Sequence, residues 1–247
     1  MTKRDFQSAD LLQARLDAFR PFPPETLASL RDYYRVGLTW SSNALEGNTL
    51  TESETKVVIE DGLTVGGHPL REVYEAAGHA EAFDFIHGLV AKRPLAADDI
   101  LALHRLFYQR IDSDNAGAWR KVRVFISGSR HPLPQSGDVP GLMTEFVDWM
   151  AKSEGTMHPV EFAARTHLRF VFIHPFVDGN GRVARLLMNL ALLRVGWPMA
   201  LVPPVLRAEY IEAIAGARRS PNTFIRFIRD RVIETQRDLL RLFEVKP

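Results

Sequence analysis

One short stretch of the chain, HPFVDGNGRVAR at residues 174–185, gathers the residue types that handle phosphate. Gly179 and Gly181 leave backbone N–H groups uncovered where an Asp-Gly-Asn-Gly turn enters a new helix, and such a nest with a helix dipole behind it binds anions. Arg182 and Arg185, three apart, share one face of that helix's first turn. Positive charge is unfavourable toward the dipole there, and an anion held between the two arginines removes the conflict. Asp178 adds a hard oxygen ligand suited to a Mg²⁺ that bridges phosphate oxygens. His174, at the mouth of the loop, has the near-neutral pKa that lets a general base take a proton from an attacking hydroxyl. Taken by itself, DGNG is an ordinary helix-to-helix turn; the whole string carries the phosphate argument.

The elements that must position this loop are helical. Residues 95–109, 139–152, 160–173 and 182–195 place apolar side chains three and four apart, the amphipathic helix period. Pro94, Pro140 and His158-Pro159 stand at helix starts, and Gly196-Trp197-Pro198 closes the last of these segments. Residues 121–127 (KVRVFIS) break the pattern: they are β-branched and aromatic, and run into Gly128, His131-Pro132 and Pro134, which predicts a short β-hairpin. The expected fold class is all-α, a helical bundle core with one β-hairpin. Residues 1–35 are expected to form an N-terminal helical arm, 36–235 the principal domain, and 236–247 the end of a C-terminal helix.

Composition narrows the partners. The chain of 247 residues is 46% hydrophobic and 25% charged, ordinary for a packed protein. With 31 basic and 30 acidic residues, no global field draws it to nucleic acid or an anionic membrane. Cysteine is absent, which excludes disulfides, thiolate metal sites and a cysteine nucleophile. The N-terminus carries charges throughout and no signal-peptide core, and the apolar run 186–193 is too short to span a bilayer, so a cytoplasmic, membrane-free protein is expected. His104, His131, His158 and His167 form no metal-binding pattern, no HExxH occurs, and no GxxxxGK[ST] loop is present, so any ATP site is not a P-loop.

The string at 174–185 resembles the signature of the Fic family, HPFxDGNGRxxR, at every specified position. The resemblance implies the helical Fic fold and a protein adenylyltransferase that moves AMP from Mg·ATP to a Ser, Thr or Tyr hydroxyl of a target protein. His174 is then the base and Asp178 the Mg²⁺ ligand, while the backbone of Gly179, Asn180 and Gly181 holds the α-phosphate and Arg182 and Arg185 handle the β- and γ-phosphates. Residues 42–48, SNALEGN, resemble the family's inhibitory pattern, placed before the core as in the class with an N-terminal inhibitory helix. Ser42 and Glu46 are the residues implied, with Glu46 pairing with Arg185 and so neutralising the group that orients the γ-phosphate. The expected hairpin lies where the family carries its flap, which covers the nucleotide and pairs with the target. Ile126, Ser127 and Gly128 are its candidate nucleotide contacts, and its edge is the expected docking place of the target. Tyr210 is assigned to the base pocket, although Arg218 stands near where relatives carry a nucleotide-base asparagine. Similarity extends over residues 30–230 and is greatest to metazoan-type members. Relatives commonly dimerise, so a homodimer is the expected assembly.

Two rival functions remain open from the sequence. Glu46 is also suited to align a water against a modified side chain, which makes removal of AMP the alternative activity. Arg218, Arg219, Arg226, Arg229 and Arg231 raise a regulatory or nucleic-acid-binding module. Those arginines alternate with Phe224, Ile225, Phe227, Ile228 and Val232 and are diluted by Asp230, the pattern of a surface helix with one packed face, and no DNA contact is expected.

Overall fold

Prolines and capping side chains punctuate the chain into helices. The computed structural model describes residues 1–92, 94–126 and 131–244. Among them run α1 (Gln7–Asp17), α2 (Pro24–Leu45), α3 (Glu52–Lys56), α4 (Leu70–Gly88), α5 (Ala97–Tyr108), α6 (Val139–Ser153), α7 (Pro159–Ile173), α8 (Asn180–Leu193), α9 (Arg207–Gly216) and α10 (Asn222–Glu244). Thr51 caps α3 through a reciprocal pair with Glu54. At the start of α7, the His158 side chain accepts the Val160 N–H at 3.2 Å and Pro159 occupies the first turn, where its missing donor costs nothing.

Helix α8 lies at the centre because its sequence leaves no polar face along most of its length. Every residue from 182 to 192 is buried, and a helix apolar all round must be enclosed. α7 packs along it, joined through the 174–179 loop, and α2, α4 and α5 close the other sides. α6 covers α7, while α10 packs against α1, α7 and α9. Phe83, Ile100, Phe170, Leu187, Phe224 and Ile228 are fully enclosed in one core. A smaller cluster of Leu50, Val58, Val73 and Ala76 seats the α3 region on α4.

The first residues are part of this core: Phe6, Ala9 and Leu16 belong to the same cluster as α8. The boundary expected at 35/36 falls inside α2, and that at 235/236 inside α10. The expected hairpin is corrected in its described part. Among the described residues no strand forms, and residues 121–126 run without a ladder partner. The return arm explains this, since Pro132 and Pro134 lack the N–H groups a ladder needs. Ser127 and Gly128 lie outside the described residues. No helix among the described residues is long and apolar enough to cross a membrane.

Leu187→Ala removes a fully buried side chain from α8 and is expected to lower stability by about 2–5 kcal/mol. Urea unfolding followed by circular dichroism measures it.

Candidate active site

The loop between α7 and α8 is held in one shape by side chains on several elements. His174 ends α7 in the left-handed region, φ 53° and ψ 61°, with its N–H donating to the Phe170 carbonyl at 3.0 Å. A non-glycine residue rarely adopts this conformation, and it persists where its surroundings over-determine it. Asn180 closes a two-way clasp: the Phe176 N–H donates to Oδ1 and Nδ2 donates to the Phe176 carbonyl, both at 2.9 Å. From α5, His104 stacks on Phe176 with ring centroids 3.8 Å apart. Its Nδ1 accepts the Gly117 N–H at 2.9 Å, so Nε2 carries the proton and donates to the Asp178 carbonyl at 3.2 Å.

Two glycines let the backbone approach this closely. Gly179 starts α8 with φ 76°, and a Cβ there would lie 2.7 Å from two carbons of the Phe107 ring. A Cβ on Gly181 would collide with Glu46 Oε1 and stand 3.1 Å from Arg185 Nη1. No side chain caps the start of α8, and its first intrahelical bond runs from the Val183 N–H to the Gly179 carbonyl at 3.1 Å. The N–H groups of residues 180–182 therefore precede the ladder, as an anion-binding helix start requires.

Both arginines of this turn are only 2% exposed, and each is neutralised by a carboxylate. Arg182 Nη1 lies 3.1 Å from Glu75 Oε1 and 3.4 Å from Asn43 Oδ1, with its guanidinium 5.2 Å from the Phe107 ring centre. Glu75 also accepts from Asn48 Nδ2 at 3.1 Å and from Arg71 Nε at 3.2 Å. Arg71 Nη2 donates to Asp178 Oδ2 at 2.9 Å, and the other oxygen of Asp178 accepts the Gly179 N–H at 2.6 Å. Arg185 Nη2 donates to Glu46 Oε1 at 2.7 Å and to the Ser42 carbonyl at 2.8 Å, while Nε donates to Ser42 Oγ at 2.9 Å. Its Nη1 donates to the Tyr210 hydroxyl at 3.2 Å, and that hydroxyl donates onward to His167 Nε2 at 2.7 Å.

The electrostatics follow from burial and these pairs. Burial alone would raise the Glu46 pKa, but the charge and hydrogen bond of Arg185, joined by Arg182, hold it below the ordinary carboxylate range. Burial pushes His174 down to about 4, opposed first by a hydrogen bond with the Val171 backbone and then by Glu46 and Asp178, with Arg120 acting in the same sense as burial. His174 is thus neutral near pH 7, and its Nδ1 is buried with no hydrogen-bond partner among the described residues.

The structure gathers Ser42, Glu46, Asp178, the 179–181 turn, Arg182 and Arg185 at one helix start, with His174 at the end of the preceding helix. Tyr210, assigned to the base pocket, is 2% exposed, packs against Phe224 and Phe227, and accepts a hydrogen bond from Arg185. Ile126 lies on the exposed 121–126 segment, and Ser127 and Gly128 fall outside the described residues. Sequence reasoning missed Asn43, Arg71, Glu75 and Arg120. Asn43 lay inside the inhibitory pattern, whereas Glu75 and Arg71 look like any charged pair four apart on a helix.

A family model described as the Fic/DOC family matches residues 94–192. A curated relative from Drosophila willistoni named "Protein adenylyltransferase Fic" is 34% identical over 233 residues, covering 93% of this chain and 46% of that protein. One from Nematostella vectensis with the same name is 37% identical over 76% of this chain and 45% of its own length. The chain thus spans less than half the length of these curated relatives. Among solved structures, Fic-1 (residues 134–508) from C. elegans superposes with TM-score 0.87 at 30% identity, covering 97% of this chain and 73% of that one. A Fic domain containing signaling protein from Bacteroides thetaiotaomicron gives TM-score 0.84 at 29% identity, covering 93% of this chain and 95% of that one.

Burial pushes His79 to about 3 and His104 and His174 to about 4. The unfolded chain binds more protons at these sites below about pH 6.5, so stability falls as pH drops from there toward 4, by up to about 1.4 kcal/mol per pH unit for each histidine. Urea midpoints measured at intervals from pH 7 to 4.5 should decline steadily, and a flat profile would contradict neutral burial of these rings.

Proposed function

This chain belongs to the Fic/DOC family, and from that premise we propose that it is a protein adenylyltransferase, moving AMP from Mg·ATP to a hydroxyl side chain of a target protein. The observation that carries the proposal is the pair of buried guanidinium groups on the first turn of α8, where a polyphosphate gains both the helix start and two cations. The names of the curated relatives support the same activity.

Asp178 fits a Mg²⁺ site of the kind completed by substrate phosphates and water, since its carboxylate is 45% exposed and hard in donor character. Among the described residues no set of three or more His, Asp or Glu side chains is placed to hold a metal without substrate. Bound there, Mg²⁺ would neutralise phosphate charge. Arg71 now holds one oxygen of Asp178 and would have to release it.

In the proposed reaction the backbone of Gly179, Asn180 and Gly181 orients the α-phosphate, and Arg182 and Arg185 hold the β- and γ-phosphates. The target hydroxyl oxygen forms a bond to the α-phosphorus, the bond from that phosphorus to the bridging oxygen breaks, and pyrophosphate leaves. The neutral ring of His174 takes the hydroxyl proton. A target segment lying along residues 121–126, with the family's flap completed beyond them, would present the hydroxyl. Glu46 is the inhibitory residue: it occupies the Nη2 donor of Arg185 that a γ-phosphate would use, so ATP enters without its productive orientation.

The test uses the protein, Glu46→Gly, and Glu46→Gly/His174→Ala with Mg²⁺ and ATP labelled on the α- or γ-phosphate. Label should enter protein from the α-position only, rise about tenfold or more with Glu46→Gly, as loss of about 1.4 kcal/mol of competition would give, and vanish with His174→Ala. Entry of γ-label would overturn AMP transfer. The side chain of Glu46 is 36% exposed and within reach of water, which favours removal of AMP as a second activity; release of AMP from a pre-modified target, lost with Glu46→Gly, would identify it.

A further inference from the structure

Arg120 is the largest charged side chain outside the arginine pair to be almost fully enclosed, at 2% exposed. Among the described residues its guanidinium meets three carbonyl oxygens and no carboxylate. Nε donates to the His174 carbonyl at 2.8 Å, Nη1 to Val122 at 3.2 Å and Nη2 to Pro134 at 2.7 Å. Its backbone N–H donates to the Pro175 carbonyl at 2.9 Å. A buried charge with only neutral partners costs stability, and an apolar residue of similar size would avoid that cost.

What the fork supplies is geometry. The acceptors lie two, 14 and 54 residues away in sequence, and a planar guanidinium is the one side chain whose donors reach all three at fixed mutual angles. The His174 carbonyl is also among the last carbonyls of α7, where a cation complements the negative end of the helix dipole. Val122 lies in the 121–126 stretch along which the target is proposed to lie, and Pro134 in the described chain beyond it.

We propose that Arg120 is a positioning residue that holds His174 in its left-handed corner and, with the same guanidinium, ties the Val122 and Pro134 carbonyls to that corner. The base and the segment facing it are then set by one group. The consequence for turnover rests on the proposed AMP transfer; the geometry does not. Arg120 also opposes protonation of His174 along with burial, while Glu46 and Asp178 favour it.

Arg120→Met and Arg120→Lys, each in the Glu46→Gly background, separate charge from fork. ATP affinity by calorimetry should stay within about threefold, because the phosphate-binding groups are untouched, while kcat for α-label transfer falls about 10- to 100-fold in both variants, the effect of a misplaced reacting group. The His174 ring titration, followed by NMR, should move up in Arg120→Met and stay low in Arg120→Lys, which keeps the charge. Parental kcat in Arg120→Lys would overturn the proposal, as would loss of ATP affinity in step with kcat and melting temperature. If Arg120→Met does not fold, the lysine variant alone decides. If the Glu46→Gly parent transfers no AMP, the AMP-transfer assignment fails, and an unmoved His174 titration in Arg120→Met would separately overturn the role of Arg120.

Discussion

Two guanidinium groups buried at the positive end of a buried helix are the constraint around which the site is arranged. Arg182 and Arg185 lie where the dipole of α8 disfavours them and where water is excluded, so the fold must bring partners to them. α2 delivers Ser42, Asn43 and Glu46, α4 delivers Glu75, and α9 delivers Tyr210. The helices that wrap α8 for its apolar surface are thus the same ones that supply its charge balance.

The two carboxylates are not equivalent. Glu75 is buried and held by Asn48 and Arg71 as well as Arg182, so it belongs to the framework. Glu46 caps the end of α2, is more exposed, and is followed by Gly47 at φ 99°, where the chain turns away. Removing one partner of a buried pair normally leaves an uncompensated charge. On the proposed function an incoming phosphate would supply Arg185 with the replacement anion, so the Glu46 contact could be exchanged without stranding the guanidinium.

Local signals made much of this legible. Helix starts at Pro140 and Pro159 and the turn at 174–179 follow from residue types at particular places, because caps and periodicity are short-range effects. Residues 121–126 form no strand because β-propensity says nothing of whether a partner has donors to offer, and Pro132 and Pro134 do not. Arg120 and Glu75 were invisible for a related reason. Each acts through contacts with residues far away in sequence, and nothing at positions 120 or 75 marks an arginine or glutamate as enclosed. Tyr210 was noticed, but its packing against α10 and its bond to Arg185 were not, since sequence does not show which face of α9 packs inward.

The depressed basicity of His174 fits this electrostatic arrangement. A ring at about 4 is a weak base, but it is uncharged at neutral pH and so always available to accept a proton. Burial lowers its proton affinity, a hydrogen bond with the Val171 backbone raises it, Arg120 lowers it further, and Glu46 and Asp178 raise it. In the proposed reaction an anionic phosphate held by Arg182 and Arg185 would add another raising contribution, so the ring would gain proton affinity with substrate in place. On that proposal the same arginines would tune the base indirectly, through the anion they recruit, while the Arg120 hydrogen bond to the His174 carbonyl holds the backbone there.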